Sequence, residues 1–287
     1  FDERWHIVPG LRLEPFFSAV NRRRPAESSA ADVGAFSADL SVQPRLSTRV
    51  VAADGLTLKA AYGRYRQPAR AEDLSSVFGH PLLGSSDATH YLIGGDLELG
   101  ALLGAEATLF YSRSQHLPVR SPLPSPRVAE TLLDLGEGRS YGAQLLLRKN
   151  LGDGWFGWLA YTIQRSERRD TPGAQWRPFD FDQTHVLTAL LSYELGAGFD
   201  LGARFRLASG YPRTPVIGAY YDARRDQYEP LLGERNGMRI PTFWQADLRA
   251  SKRWEFADSR LEAYLDVQNV TNHHNAEEIV YAADYAT

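Results

Sequence analysis

Cysteine is absent from all 287 residues, which excludes a disulfide framework and a thiolate-bound metal centre. No stretch approaches the ~18 consecutive apolar residues of a membrane-crossing helix, so spanning by helices is excluded as well. Neither sign of charge dominates. Lys and Arg number 32 against 35 Asp and Glu, for a net charge of −3 with both signs mixed throughout, which argues against general nucleic-acid binding. An initiator methionine and a secretory leader are both missing before Phe1-Asp2-Glu3, and the last residues, Tyr285-Ala286-Thr287, read as a loop or the start of a strand. The expectation is a segment of a longer protein. Low-complexity linkers are lacking too, so one domain is expected.

What the chain has is alternation. Tyr141, Ala143, Leu145 and Leu147 share one parity, while Gly142, Gln144, Leu146 and Arg148 share the other. A period of two is that of a strand with an apolar side and a more polar side. The pattern predicts eleven strands, near 4–17, 36–50, 56–67, 88–99, 102–116, 139–150, 155–167, 183–195, 199–209, 242–254 and 260–270. Short links carry turn residues, as in Ala53-Asp54-Gly55, Gly152-Asp153-Gly154 and Gly196-Ala197-Gly198. The other links, 18–35, 68–87, 117–138, 168–182 and 210–241, are long and rich in Pro, Arg, Ser and Asp. Short and long links alternate without a break, the order of an up-and-down antiparallel β-barrel with tight periplasmic turns and long outer loops. The predicted fold class is therefore all-β, a transmembrane barrel in a bacterial outer membrane. A composition only 43% hydrophobic agrees, because a barrel strand is apolar on one face alone.

Parity also sorts the faces. Leu58, Ile93, Leu191, Ala203, Leu248 and Leu265 are predicted to meet lipid, and Lys59, Asp96, Gln144, Arg204, Asp247 and Gln268 to line a wet interior. Tyr62, Tyr111, Tyr161, Tyr193 and Trp254 fall near strand ends, where an interfacial girdle is expected.

An ordered series of short motifs follows. It comprises Gly138-Arg139-Ser140-Tyr141-Gly142-Ala143-Gln144-Leu145, Phe181-Asp182-Gln183-Thr184-His185, Ser209-Gly210-Tyr211-Pro212, Arg239-Ile240-Pro241, Asp247-Leu248-Arg249 and Asp266-Val267-Gln268-Asn269-Val270-Thr271-Asn272. In order and spacing this series resembles the C-terminal barrel of TonB-dependent outer-membrane receptors over about residues 138–275, with Tyr62-Gly63-Arg64-Tyr65 extending it upstream. The resemblance implies that the chain is part of a 22-strand barrel, with its plug domain and early strands lying outside the sequence. It implies uptake of a scarce nutrient (a ferric siderophore, a cobalamin, a glycan or a peptide) driven by the TonB–ExbB–ExbD complex. Lipid and lipopolysaccharide would surround the barrel, and no cofactor or nucleic-acid partner is implied.

Candidate sites follow from residue chemistry. Outer-loop and inner-wall residues Trp176, Arg177, Arg204, Arg206, Tyr220, Tyr221, Arg224 and Arg225 combine aromatic and guanidinium groups suited to an anionic or aromatic ligand. His273-His274 has acidic neighbours, but adjacent loop side chains rarely converge on one ion, so no metal site is expected. Asp180, Asp182 and His185 are the residues an omptin-like protease would need, and Asp182 and His185 have opposite parity. A phospholipase would need Ser two residues after His, a pairing the chain lacks, and Ser209 is in no nucleophile elbow. No catalytic residue is expected. The remaining rival is a passive porin.

Overall fold

The structure, a computed structural model, describes residues 4–22, 33–75, 78–123 and 131–285. Its long strands are β1 (Trp5–Arg22), β2 (Val33–Ala53), β3 (Leu56–Gln67), β4 (Ser86–Leu99), β5 (Leu103–Arg120), β6 (Leu132–Lys149) and β7 (Trp155–Arg169). After the short β8 (Arg177–Pro178) come β9 (His185–Gly196) and β10 (Phe199–Ala208). The outer excursion beyond β10 holds β11 (Pro212–Arg213), β12 (Val216–Asp222), β13 (Gln227–Leu232) and β14 (Met238–Arg239). The wall ends with β15 (Phe243–Glu255) and β16 (Arg260–Val267).

One sheet runs β1-β2-β3-β4-β5-β6-β7-β9-β10-β15-β16, antiparallel throughout, with β8 added beside β7. All eleven predicted strands are present and follow one another in sequence order. Among the described residues, no helix is long and apolar enough to cross a membrane.

The burial pattern is inverted relative to a water-soluble sandwich. Leu58, Ile93, Leu109, Leu191 and Leu265 are 48–66% exposed, whereas Ser41, Asp182 and Asp247 are nearly or fully buried. Such an apolar outer surface is not suited to water and fits the hydrocarbon that surrounds a barrel. The exposed apolar residues share one parity from strand to strand, because Leu191 stands opposite Gly157 and Ala203, and Ala203 opposite Leu248.

Aromatic residues mark both edges of this band. Tyr62, Tyr91, Tyr111 and Tyr141 form one register-matched row across β3, β4, β5 and β6. At the short-turn end, Trp155 pairs with Tyr193, and Lys252 lies 4.1 Å from the Phe199 ring while its ammonium donates to the Ala197 carbonyl. That is a lysine reaching out of the apolar band toward water. On β7 ten residues separate Trp155 from Arg165, the position opposite Tyr141, which at roughly 3.4 Å each and a tilt of about 40° spans ~26 Å. The predicted girdle residues thus divide, Tyr62 and Tyr111 above, Tyr193 and Trp254 below, while Tyr161 stands opposite Leu145, four residues inward of the tyrosine row, and bonds His185.

Three outer segments differ from the sequence expectation. Strands β1, β2, β5 and β6 run well into the predicted loops 18–35 and 117–138, leaving 23–32 and 124–130 outside the described residues. Beyond the tyrosine row both faces are wet, so the apolar alternation fades while backbone pairing continues. The predicted loop 210–241 contains a β12–β13 hairpin and the β11–β14 bridge for the same reason. At the end of β16 the strand stops at Val267, three residues early, because Asn269 adopts a positive φ of 49°.

Candidate functional site: inner wall and outer rim

Arg204 and Arg206 point to the wet side of β10, opposite Asp247 and Gln245 of β15. Arg204 donates from Nε and Nη2 to Asp247 Oδ2 at 2.8 and 2.6 Å. The other oxygen of Asp247 accepts from Gln245 Nε2 at 2.6 Å and from the Asn269 backbone N–H at 2.8 Å. Asn269 in turn holds the turn after β16, accepting from the His273 N–H and donating to the His273 carbonyl. Two of the sequence motifs, Asp247-Leu248-Arg249 and Gln268-Asn269-Val270, are therefore the two halves of one anchor. Arg204 is committed to it. Arg206 donates to Gln245 Oε1 at 2.9 Å, its guanidinium lies 5.7 Å from the Phe243 ring, and its Nε is buried without a protein partner.

A second anchor fixes the rim. Asp182 is fully buried and accepts from the Ser166 N–H at 2.5 Å. It forms an ion pair with Arg239, which also donates to the Asp182 carbonyl at 2.8 Å and the Gly210 carbonyl at 3.0 Å. Asn236 adds bonds to the Pro178 carbonyl and to Asp180 Oδ1, and Arg235 reaches Asp170 at 3.2 Å. The outer segments 170–184 and 209–242 are thereby joined at their bases. Gly210 is required here, because an added Cβ would lie 1.8 Å from the Ile240 carbonyl oxygen. His185 instead bonds Tyr161 Oη at 2.8 Å on the opposite face, so Asp182 and His185 do not converge.

The loop candidates occupy separate places. Trp176 lies 4.3 Å from the Arg139 guanidinium and 4.7 Å from that of Arg169. Arg177, opposite Arg168, donates to Asp170 at 2.7 Å. Tyr220 and Tyr221 are on β12. The Tyr221 ring packs 5.4 Å from that of Tyr228, and its hydroxyl bonds Asp226. Arg224 is almost wholly exposed at the hairpin tip, and Arg225 pairs with Glu229 at 3.1 Å. Among the described contacts, none joins the hairpin tip to Arg204 or Arg206. His273 stacks on Trp244 at 4.2 Å, and no group of acidic, histidine or cysteine side chains among the described residues is arranged to hold a metal. Asp182, Arg239, Asn236 and Asn269 were not among the predicted site residues. For Asp182, Arg239 and Asn269 the signal was membership of the ordered motifs, which marks anchoring as readily as ligand contact; Asn236 lies outside those motifs and had no such signal.

The tail closes on the hairpin base. Glu278 accepts from Arg213 Nε and Nη2 at 2.9 Å and from the Ile279 N–H at 3.1 Å, and Tyr281 Oη accepts from the Val216 N–H. The bonds from Arg213 hold the Glu278 carboxyl below its ordinary range. A lowered folded value means that the clamp is complete above the ordinary glutamate value and is lost as pH falls through the lower one. Hydrogen-exchange protection factors of residues 276–281 are expected to drop between about pH 5 and pH 3. Glu278→Gln should remove that dependence, and an unchanged profile in the variant would show that Glu278 is not the titrating group.

A charged, paired inner face and an apolar outer face with an aromatic border at each edge define the wall of a transmembrane β-barrel. Residues 1–270 match the family described as "TonB dependent receptor-like, beta-barrel", and the chain belongs to that family. Its fold is similar to that of the ferric-catecholate import receptor Fiu from E. coli K12, with a TM-score of 0.66 and 15% identity over 95% of this chain and 39% of that one. The FrpB iron transporter from Neisseria meningitidis gives 0.67 and 16% over 95% and 39%. The siderophore receptor PiuA from Acinetobacter baumannii gives 0.65 and 17% over 94% and 37%. The chain thus spans about two fifths of the length of these structures. No curated protein matches the sequence.

Proposed function

We propose that this chain is the inner wall and outer rim of an outer-membrane receptor that takes up a scarce nutrient with TonB-coupled energy. Membership of the receptor-barrel family over residues 1–270 carries the reading. The wall chemistry supports it, because Arg206 stands on the wet face of β10 while aromatic and guanidinium groups gather at the rim. An anionic chelate or other small molecule fits such groups. Trp176, Arg177, Arg206, Tyr220, Tyr221, Arg224 and Arg225 are proposed to contact it, with Arg204 holding the wall beneath. TonB–ExbB–ExbD supplies the energy through a part of the protein outside this chain, and no bond in the substrate is broken.

The test is uptake by cells with and without the native protein. Labelled ferric chelates, cobalamin, glycans and peptides are offered at limiting concentration, with a protonophore as control. Accumulation of one class that requires the protein and collapses with the protonophore is expected. Uptake indifferent to the protonophore would indicate a passive pore, and lipid or peptide hydrolysis by the pure protein would indicate an enzyme.

A further inference from the structure

Gln144 stands opposite Thr162, so Thr162, Gln164, Ser166 and Arg168 share the wet, inner face of β7. Arg168 is three residues above the position opposite Tyr141, which places it at the outer mouth of the wall. It is half-buried, its guanidinium lies 4.5 Å from the Phe179 ring, and its Nη1 is covered without a partner. Gly138, its cross-strand neighbour, makes the room, because an added Cβ there would lie 2.5 Å from Arg168 Nη1.

The charges around it are of the same sign or already taken. Arg177 stands directly opposite Arg168, and like charges so placed destabilise a sheet. Asp170 is shared between Arg177 at 2.7 Å and Arg235 at 3.2 Å, and Asp182 is committed to Arg239. Asp180 attracts Arg168 only from beyond ion-pair range and accepts from Asn236 at 2.6 Å. Among the described residues, no carboxylate pairs with Arg168 and no acceptor meets its Nε or Nη2. A partly buried cation left without a counter-ion weakens the wall, so the wall alone gives no reason for an arginine here.

We propose that Arg168 is the contact for a free carboxylate on the nutrient. The proposal rests on the uptake reading above and narrows the nutrient to a molecule that carries such a group. The Nε and Nη2 edge of a guanidinium offers paired N–H groups that match the two oxygens of a carboxylate. Gly138 and Phe179 fix the plane of the fork before the ligand arrives, so little freedom is lost on binding. Arg177, tied to Asp170 by Nη2, raises the positive potential beside it. One uncompensated cation is balanced by one carboxylate, whereas a doubly charged phosphate would bring excess negative charge close to Asp170 and Asp180.

The experiment uses the full-length native protein, folded in mild detergent. Phenylglyoxal labels free guanidinium groups, and peptide mass spectrometry reads the labelling rate at each arginine. Arg168 is expected to react in the unliganded protein. Millimolar succinate should slow its labelling about fivefold, and dimethyl succinate should leave it unchanged at matched ionic strength. Arg224, almost wholly exposed at the hairpin tip, is the control and should not be protected. Gly138→Ala keeps the guanidinium but displaces it, so succinate protection should be lost while heat-modifiable mobility stays. Arg168→Gln should be no less stable in urea than the wild type, because it removes an uncompensated charge. Equal protection by succinate and its ester, equal protection of Arg224, full protection in Gly138→Ala, or a destabilised Arg168→Gln each overturns the proposal. An Arg168 already unreactive without succinate overturns it as well, since a carboxylate from elsewhere in the protein would then cover it. The labelling needs no energy source, which keeps the two readings apart. Absent protection in a protein whose uptake collapses with the protonophore overturns the subsite alone, whereas protection with uptake indifferent to the protonophore overturns the receptor reading alone.

Discussion

Arg239→Ala is expected to lower the stability of the folded barrel by roughly 3 kcal/mol and to free the outer excursion between β10 and β15. The magnitude follows from what remains behind. Asp182 has no solvent exposure, and among the described residues Arg239 is its only cation. Without it, the carboxylate keeps only the Ser166 N–H at 2.5 Å and a long Thr184 hydroxyl contact at 3.4 Å. A buried carboxylate deprived of its cation costs far more than an exposed pair is worth. The low end of the range applies because Arg239 itself is 29% exposed. The Asp182 and Gly210 carbonyls also lose their donor, which unties the two outer segments. The heat-modifiable mobility shift in urea measures the stability, and limited proteolysis within 215–235 measures the loosening. Arg239→Lys should fall between, since an ammonium can replace the charge but not the fork that spans a carboxylate and two carbonyls. If Arg239→Ala matches the wild type in both measurements, Asp182 does not anchor the rim.

The anchors also show how far the sequence could be read. Within the lipid band, each strand must be apolar on one side and can be polar on the other, so parity alone places Leu58, Ile93, Arg204 and Asp247 on their correct faces. Above the tyrosine row that asymmetry disappears. Val216 to Leu232 form a hairpin with water on both sides, and no period of two separates its residues from a loop. Arg64 and Arg113 lie on the lipid parity because register carries them there, although their chemistry reads as wet. Long-range partners were hidden for a different reason. Asp182 and Arg239 are 57 positions apart, and Asp247 and Asn269 are 22 apart. Their pairing depends on how segments fold back at the rim, which alternation does not encode. The recurring motif pieces were visible, but a motif names the residues that must be kept without saying whether they hold a ligand or hold the wall. Here Asp182, Arg239, Asp247 and Asn269 hold the wall.

The sorting of faces gives the largest expected effect of any single surface residue. Leu191 is 48% exposed on the outward side of β9, between Gly157 of β7 and Ala203 of β10, and covers the small residue beside it. Leu191→Arg puts a guanidinium into hydrocarbon between the two aromatic rows, at a cost of about 2–4 kcal/mol if it stays near the midplane. The neighbours offer no counter-charge, since Gly157, Ala203 and Leu248 surround the position on that face. Gln268→Arg introduces the same guanidinium on the wet side, beside Asp247 and Asp266, where a cation finds partners and water. Both substitutions belong in the native protein, with the yield of heat-modifiable barrel in outer membranes as the readout. Leu191→Arg should deplete folded barrel strongly, while Gln268→Arg should stay near the wild type. Equal tolerance would mean that the exposed leucines do not face lipid, and the inverted burial of this sheet would then need a protein partner on that side in place of a membrane.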